Sequence, residues 1–198
     1  MFYSILLAGG HSSRMGVDKA GLMLDGQSLL DRSLSLLKAV GSERILVSGR
    51  EGYEDSVADI LPHCGPPGGL YACLDSLARE AQLKDFPLLL IPLDMPCLDE
   101  SCLKILLSHM EGATACHFEG EIFPCVLRAS EPLKQHLQNL FHESPEPGGK
   151  RSMRAILEFC KARSVPKGQL PADLFKNINT PEEYQGSLQA ANGHLRSR

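Results

Sequence analysis

The residues of this chain best suited to chemistry lie in a glycine-rich, basic segment, residues 6–19, which continues a short apolar run. Gly9 and Gly10 lack side chains, so the backbone can adopt unusual dihedral angles and its amides can approach phosphate oxygens closely. Arg14 and Lys19 add two cations beside this turn. The segment therefore predicts a binding site for the phosphates of a nucleotide. An ordinary strand-to-helix turn is the alternative, but such a turn has no use for the two cations.

The spacing of this segment differs from that of two common nucleotide-binding motifs. Gly10 and Gly16 lie one residue further apart than the glycines of a P-loop, and Lys19 is followed by Ala20. The Gly-x-Gly-x-x-Gly pattern of dinucleotide-binding folds is also missing from this segment. The segment therefore fits neither motif.

A carboxylate follows the most apolar run of the chain, residues 86–93. This run predicts a central parallel strand covered by helices on both faces, and ligands bind at the carboxyl ends of such strands. Asp94 lies between two prolines that restrict its backbone, and its carboxylate can hold Mg²⁺. A turn-forming role is the alternative for Asp94 alone, but the cationic glycine segment favours magnesium. Asp99, in contrast, is expected to cap the next helix.

A third group of polar residues lies near the end of the sequence. Asn177 and Asn179 are one residue apart on a predicted extended stretch, so their side chains are expected to point the same way. Thr180 and Glu183 predict a helix start with a capping box, and Pro181 suits the first helical position. From the residues alone, termination and capping of a helix is the favoured role of this segment.

Two further loops carry glycine or positive charge. Residues 62–69 contain six prolines or glycines, which interrupt regular structure, and predict a loop, with a helix face beginning at Leu70. Lys150 and Arg151 follow two glycines and could meet the phosphate of a second substrate. A solvated basic turn before a helix is an equally good interpretation of that pair.

Composition limits the class of protein. The chain has 198 residues, of which 43% are hydrophobic, and a formal net charge of −4, which argues against general nucleic-acid binding. No apolar stretch approaches the roughly 20 residues that span a bilayer, and the first residues lack the pattern of a signal peptide. Seven scattered cysteines without a Cys-x-x-Cys pair are typical of reduced thiols. We therefore expect a cytoplasmic protein that contacts neither membrane nor nucleic acid.

Strands and helices alternate along most of the sequence. This order predicts an α/β fold, a three-layer α/β/α sandwich on a mainly parallel central sheet. Residues 113–117 and 122–127 predict a hairpin or two neighbouring strands. Residues 1–189 are expected to form a single domain, and residues 190–198 are expected to fray.

The glycine-rich segment, the Asp-Met-Pro after the apolar run and the Asn-x-Asn-Thr-Pro-Glu-Glu run appear in this order in the chain. Together they resemble the nucleotidyltransferases, which have a Rossmann-like fold, and most closely the molybdenum cofactor guanylyltransferase branch. The resemblance implies catalytic roles for Lys19, Arg14 and Asp94, with Asp94 as the magnesium ligand. It implies nucleotide contacts for the following residues: Leu7, Ala8, Gly9, Gly10, Lys19, Asp59, Gly68, Asp94, Asn177 and Asn179.

In enzymes of that branch, GMP moves from Mg²⁺-bound GTP to the terminal phosphate of molybdopterin, and pyrophosphate leaves. The resemblance thus implies Mg²⁺ as cofactor, GTP and molybdopterin as substrates, and admits transient contact with other proteins of molybdenum cofactor biosynthesis. Transfer from CTP to molybdopterin, or from another nucleotide to a sugar or alcohol phosphate, stays open within the class. A nucleotide-binding regulatory module is the alternative outside catalysis, although Lys19 and Asp94 argue against it.

Overall fold

The computed structural model describes residues 1–9, 18–61, 64–80, 83–142 and 151–186. The described strands are β1 (Tyr3–Leu7), β2 (Met23–Leu24), β3 (Gln27–Ser28), β4 (Ile45–Ser48), β5 (Ser56–Val57), β6 (Phe86–Pro92), β7 (Ala115–Phe118), β8 (Cys125–Ala129) and β9 (Arg163–Val165). Five α-helices are described between these strands, α1 (Leu29–Ala39), α2 (Gly65–Arg79), α3 (Glu100–Ser108), α4 (Glu131–His142) and α5 (Met153–Phe159). Short 3₁₀ turns lie at Lys19–Gly21 and Ala172–Phe175, and residues 181–186 are helical.

Seven strands form the main sheet in the order β5-β4-β1-β6-β8-β7-β9. Strands β5, β4, β1 and β6 pair in parallel, and β7 pairs in parallel with β9. Strand β8 is antiparallel to both of its neighbours, β6 and β7. The mainly parallel sheet is therefore confirmed, and the carboxyl ends of β1, β4, β6 and β7 meet at one edge.

Both faces of the sheet are covered, as the apolar run of β6 predicts. Leu89 and Ile91 pack into the core under α1 and α3, whereas Leu88 and Leu90 pack into the core under α2, α4 and α5. All four of these side chains are almost completely buried. Since successive side chains of a strand point to opposite faces, a continuous aliphatic run supplies both cores at once. The predicted three-layer α/β/α arrangement is confirmed.

Helix α2 begins earlier than the sequence predicts. The breaker-rich residues were expected to form a loop as far as Leu70, but the helix starts at Gly65 and includes Pro66 and Pro67 in its first turn. The first N–H groups of a helix have no partner within it, so proline costs no hydrogen bond there. The prediction of a loop through residue 69 is wrong for this reason.

Two elements lie outside the sequence prediction. Strands β2 and β3 form a small hairpin around Asp25 and Gly26, whose φ angles are 53° and 79°. An Asp-Gly pair is a strong signal for such a turn, so this hairpin could have been found. Strand β9 has three residues, of which only Val165 is buried, and it carries no comparable signal.

The C-terminal segment, residues 172–186, returns to the edge at which the carboxyl ends of the parallel strands meet. Leu174 and Phe175 are buried in the core under α1 and α3, and Ile178 is 1% exposed. These apolar anchors hold the segment close to the loop that follows β6. Among the described residues, the structure has no helix of the length and apolarity that crossing a bilayer requires.

Candidate functional site

Lys19 and Asp94 lie together at the carboxyl edge of the sheet. The Lys19 Nζ is 3.6 Å from the Asp94 Oδ2, and the two side chains are 17% and 24% exposed. Lys19 ends the glycine-rich segment and begins a 3₁₀ turn, and Asp94 follows the end of β6. Since β1 and β6 are adjacent parallel strands, the loops that follow them meet. The sequence places these residues far apart, and the sheet brings them together at its carboxyl edge, the place where α/β sheets form a ligand-binding crevice.

The C-terminal segment bonds to both partners. Lys19 Nζ donates a hydrogen bond of 2.9 Å to the Asn179 Oδ1, and the Ile178 amide donates one of 2.7 Å to the Asp94 backbone carbonyl. Asn177 is exposed on the same stretch. The C-terminal segment therefore holds the lysine and the aspartate in place, and three distant parts of the chain meet at this site.

The helix start beyond Asn179 is capped as the sequence predicts. The Glu183 amide donates to the Thr180 Oγ1 over 3.2 Å, and the Thr180 amide donates to the Glu183 carboxylate over 3.0 Å. This reciprocal pair is a capping box. Capping by Thr180 and contact of Asn179 with the site thus occur together in one segment.

The environment of Asp94 suits a divalent cation shared with a ligand. Burial raises the pKa of the Asp94 carboxyl, and Lys19 opposes that rise only in part. Among the described residues, no cluster of three or more His, Cys, Asp or Glu side chains could enclose a metal ion. Magnesium needs no such cluster, because it commonly binds one or two carboxylates together with substrate phosphates. Asp94 therefore fits a magnesium ion that arrives with a nucleotide.

The ends of β1 and β4 touch at two glycines. The Ala8 amide donates to the Ser48 carbonyl over 3.1 Å, and a Cβ built on Gly9 would lie 3.1 Å from the Gly49 Cα. The same Cβ would lie 3.7 Å from the Asp59 Oδ2, and burial raises the pKa of Asp59. The predicted nucleotide residues Ala8, Gly9 and Asp59 therefore lie close together.

The start of α2 packs against the same strand ends. A Cβ on Gly68 would lie 2.6 Å from the Cys64 Cβ, and one on Gly69 would overlap the Ser48 Oγ and lie 3.2 Å from the Leu7 Cδ2. Both glycines are buried. The described contacts of Gly68 are thus packing contacts with the residues that lead into α2, and Leu7, at the end of β1, is next to this helix.

Several predicted residues have no described placement. Gly10 and Arg14 fall in residues 10–17, Lys150 falls in residues 143–150, and the expected frayed tail falls in residues 187–198, all outside the described residues. Arg151 is described, and its guanidinium lies 5.4 Å from the centre of the Phe141 ring. Its packing on α4 is a structural contact that the sequence did not predict.

The chain is similar to known proteins over most of its length. Residues 4–164 match the family model described as the MobA-like NTP transferase domain. The chain belongs to this family. A molybdenum cofactor guanylyltransferase from Xanthomonas euvesicatoria pv. vesicatoria is 32% identical over 180 residues, which cover 91% of this chain and 90% of that protein. A relative from Rhizobium meliloti with the same name is 28% identical over 91% of this chain and 87% of its own length.

Solved structures show the same fold. The molybdopterin-guanine dinucleotide biosynthesis protein A of Archaeoglobus fulgidus superposes with a TM-score of 0.72 at 20% identity, over 98% of this chain and 100% of that one. A 4-diphosphocytidyl-2C-methyl-D-erythritol synthase from Anaerococcus prevotii gives 0.71 at 12% identity, over 97% and 96%. These likenesses confirm the fold of the MobA-like chain, and the family membership confirms the resemblance seen in its sequence.

Two residues of the site in this MobA-like chain were missed by the sequence analysis. Gly49 directly follows β4 with a φ of 76°, and Arg50 next to it pairs with Asp18. A glycine directly after an apolar strand is a signal that could have marked the first of them. The pairing of Arg50 depends on the long-range contact between two loops, which no local pattern shows.

The contact between Gly49 and Gly9 leads to a testable prediction. A Cβ on Gly49 would overlap the Gly9 Cα and lie 2.9 Å from the Gly9 N. We expect Gly49→Ala to lower the free energy of unfolding by about 2 kcal/mol or more, since backbone strain and a backbone clash add. Gly52→Ala is the matched control, because Gly52 has a φ of 89° and nothing within 4 Å of its Cβ position. Urea unfolding of both variants tests this, and equal losses would contradict the role of the Gly9 contact.

Proposed function

We propose that this protein transfers GMP from Mg²⁺-bound GTP to the terminal phosphate of molybdopterin, forming a guanine dinucleotide cofactor and pyrophosphate. The observation that carries the proposal is the crevice in which Lys19, Asp94 and Asn179 meet, with the Lys19 Nζ 3.6 Å from the Asp94 Oδ2. The family membership supports nucleotidyl transfer. The names of the curated relatives support GTP and molybdopterin over the other nucleotides and acceptors.

The nucleophile needs little activation in this reaction. A phosphate monoester carries roughly −1.5 to −2 charges near neutral pH, so its oxygen can attack without a general base. The protein must instead align the two phosphates and neutralise their charge. In the proposed reaction, an oxygen of the acceptor phosphate bonds to the α-phosphorus of GTP. The bond from the α-phosphorus to the oxygen that bridges to the β-phosphorus breaks, and pyrophosphate leaves.

Different residues would align the phosphates and neutralise their charge. Asp94 would hold Mg²⁺, which when bound supplies positive charge to the phosphate oxygens. Lys19 would stabilise the charge that develops on the transferred phosphoryl group and on pyrophosphate. Gly9 gives the phosphates access to backbone amides, and a side chain there would crowd the Gly49 backbone. Arg14 is proposed as a second phosphate cation from the sequence alone.

The other expected contacts extend the same proposal. Asn179 orients Lys19 through their hydrogen bond, and Asn177 offers an exposed amide on the same stretch. Asp59 lies beside Gly9, where its carboxylate could accept hydrogen bonds from ribose hydroxyls. A cytoplasmic location and contacts with other proteins of cofactor biosynthesis stay predictions from the sequence.

A nucleotide-competition assay tests the proposed function. The purified protein is incubated with Mg²⁺ and molybdopterin, and each of the four nucleoside triphosphates is supplied with a label on its α-phosphate. We expect label to enter a molybdopterin dinucleotide from GTP and to need both Mg²⁺ and molybdopterin. Transfer of CMP in place of GMP would contradict the proposed base selectivity, and transfer to a sugar phosphate alone would contradict the proposed acceptor.

A further inference from the structure

Arg50 lies at the carboxyl end of β4, next to the glycine contact that joins β4 to β1. The Gly49 amide donates to the Val57 carbonyl over 3.0 Å, and the Gly49 Cα packs against Gly9. The backbone from which Arg50 projects is therefore fixed from two sides. The Arg50 side chain is 25% exposed, so most of it lies within the protein.

The guanidinium of Arg50 reaches the loop that carries the catalytic lysine. Its Nη2 donates to the Asp18 Oδ1, and the same Asp18 oxygen accepts from the Ala20 amide over 3.1 Å. Asp18 is the N-cap of the 3₁₀ turn whose first residue is Lys19. One carboxylate thus joins Arg50 to the turn that projects the lysine into the crevice.

Stability alone does not explain this arrangement. Asp18 is 59% exposed, and ion pairs exposed to that degree contribute little to folding stability. The Arg50 Nε is buried without a hydrogen-bond partner among the residues that the structure describes, which costs free energy. An arginine held at such a cost, beside Gly49 and the turn that carries Lys19, points to a role in the geometry of the proposed nucleotide site.

We infer that Arg50 is a positioning residue for the transfer reaction, acting through Asp18 to hold the 3₁₀ turn so that Lys19 faces Asp94 and the nucleotide phosphates. The inference deepens the proposed function and rests on it. Asn179 accepts a hydrogen bond from the Lys19 Nζ, and Arg50, through Asp18, fixes the backbone from which the Lys19 side chain projects. A displacement of about 1 Å at a reacting group can cost roughly 10²-fold in rate, so a brace of this kind affects catalysis more than stability.

A double-mutant cycle tests the coupling between Arg50 and Lys19. We expect Arg50→Met to lower kcat about 10-fold or more and to change the KM for GTP less than about threefold, because it misplaces Lys19 in the transition state. In a Lys19→Met background the same change should cost less than about twofold, since the residue it positions is gone. Equal losses in both backgrounds, or a change in KM alone, would overturn the inference.

Conservative replacement of Arg50 distinguishes its positioning role from a general structural role. Because the contact joins a single guanidinium nitrogen to a single carboxylate oxygen, lysine can supply the same charge-assisted bond, and Arg50→Lys should keep kcat within about threefold of wild type. Arg44→Met is the matched control. Arg44 precedes β4 and pairs with Asp55 and Glu80 away from the crevice, so it should lower the melting temperature and leave kcat unchanged.

A measurement without substrates tests separately whether Arg50 holds Lys19. Acylation of the Lys19 amine by a small acetylating reagent is followed by mass spectrometry in the nucleotide-free protein. We expect Arg50→Met to raise the rate at Lys19 severalfold and Arg44→Met to leave it unchanged. An unchanged rate in Arg50→Met would overturn the positioning role even if GMP transfer is confirmed. If wild type transfers no GMP, the proposed function fails, and the acylation rates still decide whether Arg50 holds Lys19.

Discussion

Replacement of Asp94 by Asn should lower the rate of GMP transfer by about 10³-fold or more, because it removes the charge that would hold Mg²⁺ against the phosphates. The substitution keeps the size of the side chain, and the Asp94 carbonyl keeps its bond to the Ile178 amide. Steady-state kinetics over a range of Mg²⁺ concentrations provide the measurement. Normal activity at the Mg²⁺ concentration that saturates wild type would exclude Asp94 as the metal ligand.

The stability of the Asp94→Asn variant should move in the opposite direction to its activity. Burial raises the pKa of this carboxyl, so the folded state binds the proton more tightly than the unfolded state does. The metal-free protein therefore loses stability as pH rises through the raised pKa, and asparagine removes this loss. In EDTA above that pKa, we expect the variant to melt at or above the wild-type temperature.

Asp99→Asn is the matched control for Asp94→Asn. Asp99 lies in the same connection between β6 and α3, and its side chain accepts from the Cys102 amide over 2.8 Å as the N-cap of α3. Asparagine caps helices about as well as aspartate, so this variant should retain activity within about twofold. A loss as large as that of Asp94→Asn would show that the connection, and not one carboxylate, is sensitive to substitution.

Replacement of Lys19 by Met should lower kcat by about 10²- to 10³-fold, since it removes the cation that is proposed to stabilise the developing phosphate charge. Methionine keeps much of the aliphatic stem but loses the hydrogen bond to Asn179 and the ion pair with Asp94. Single-turnover assays with labelled GTP separate this loss from slow product release. We expect little change in the affinity for molybdopterin.

Lys176→Met is the control for Lys19→Met. Lys176 lies at the start of the C-terminal segment, is 72% exposed and pairs with Asp173 three residues before it. Its removal tests whether the loss of any lysine near the crevice slows the reaction. Equal loss in both variants would contradict a specific role for Lys19. Melting curves of the two variants then show how far any loss reflects folding.

Much of the fold could be predicted from the sequence because the spacing of apolar residues within a short segment indicates a helix or a strand. The spacing of the leucines in α1 and α3 and the aliphatic run of β6 each show which faces are buried. From these, the layers and the edge that binds ligands follow from general rules for α/β sheets. The start of α2 was harder to predict, since proline breaks a helix interior but suits a first turn.

Residues of the site could be predicted only where they belong to recognisable sequence motifs. Lys19 and Asp94 follow strands in motifs, and the sheet makes them neighbours. The hydrogen bond from Lys19 to Asn179 could not be predicted, because it depends on how Leu174, Phe175 and Ile178 anchor the returning chain. The pairing of Arg50 with Asp18 depends in the same way on two loops that meet in space.

The return of the C-terminal segment to the crevice bears on the order in which the protein becomes active during synthesis. Every strand of the sheet is complete once Val165 has left the ribosome, yet the groups that bond to Lys19 and Asp94 come after it, at Ile178 and Asn179. A nascent chain that has folded its sheet therefore still lacks a finished site. The proposed catalytic arrangement therefore needs residues that the ribosome delivers after the whole sheet.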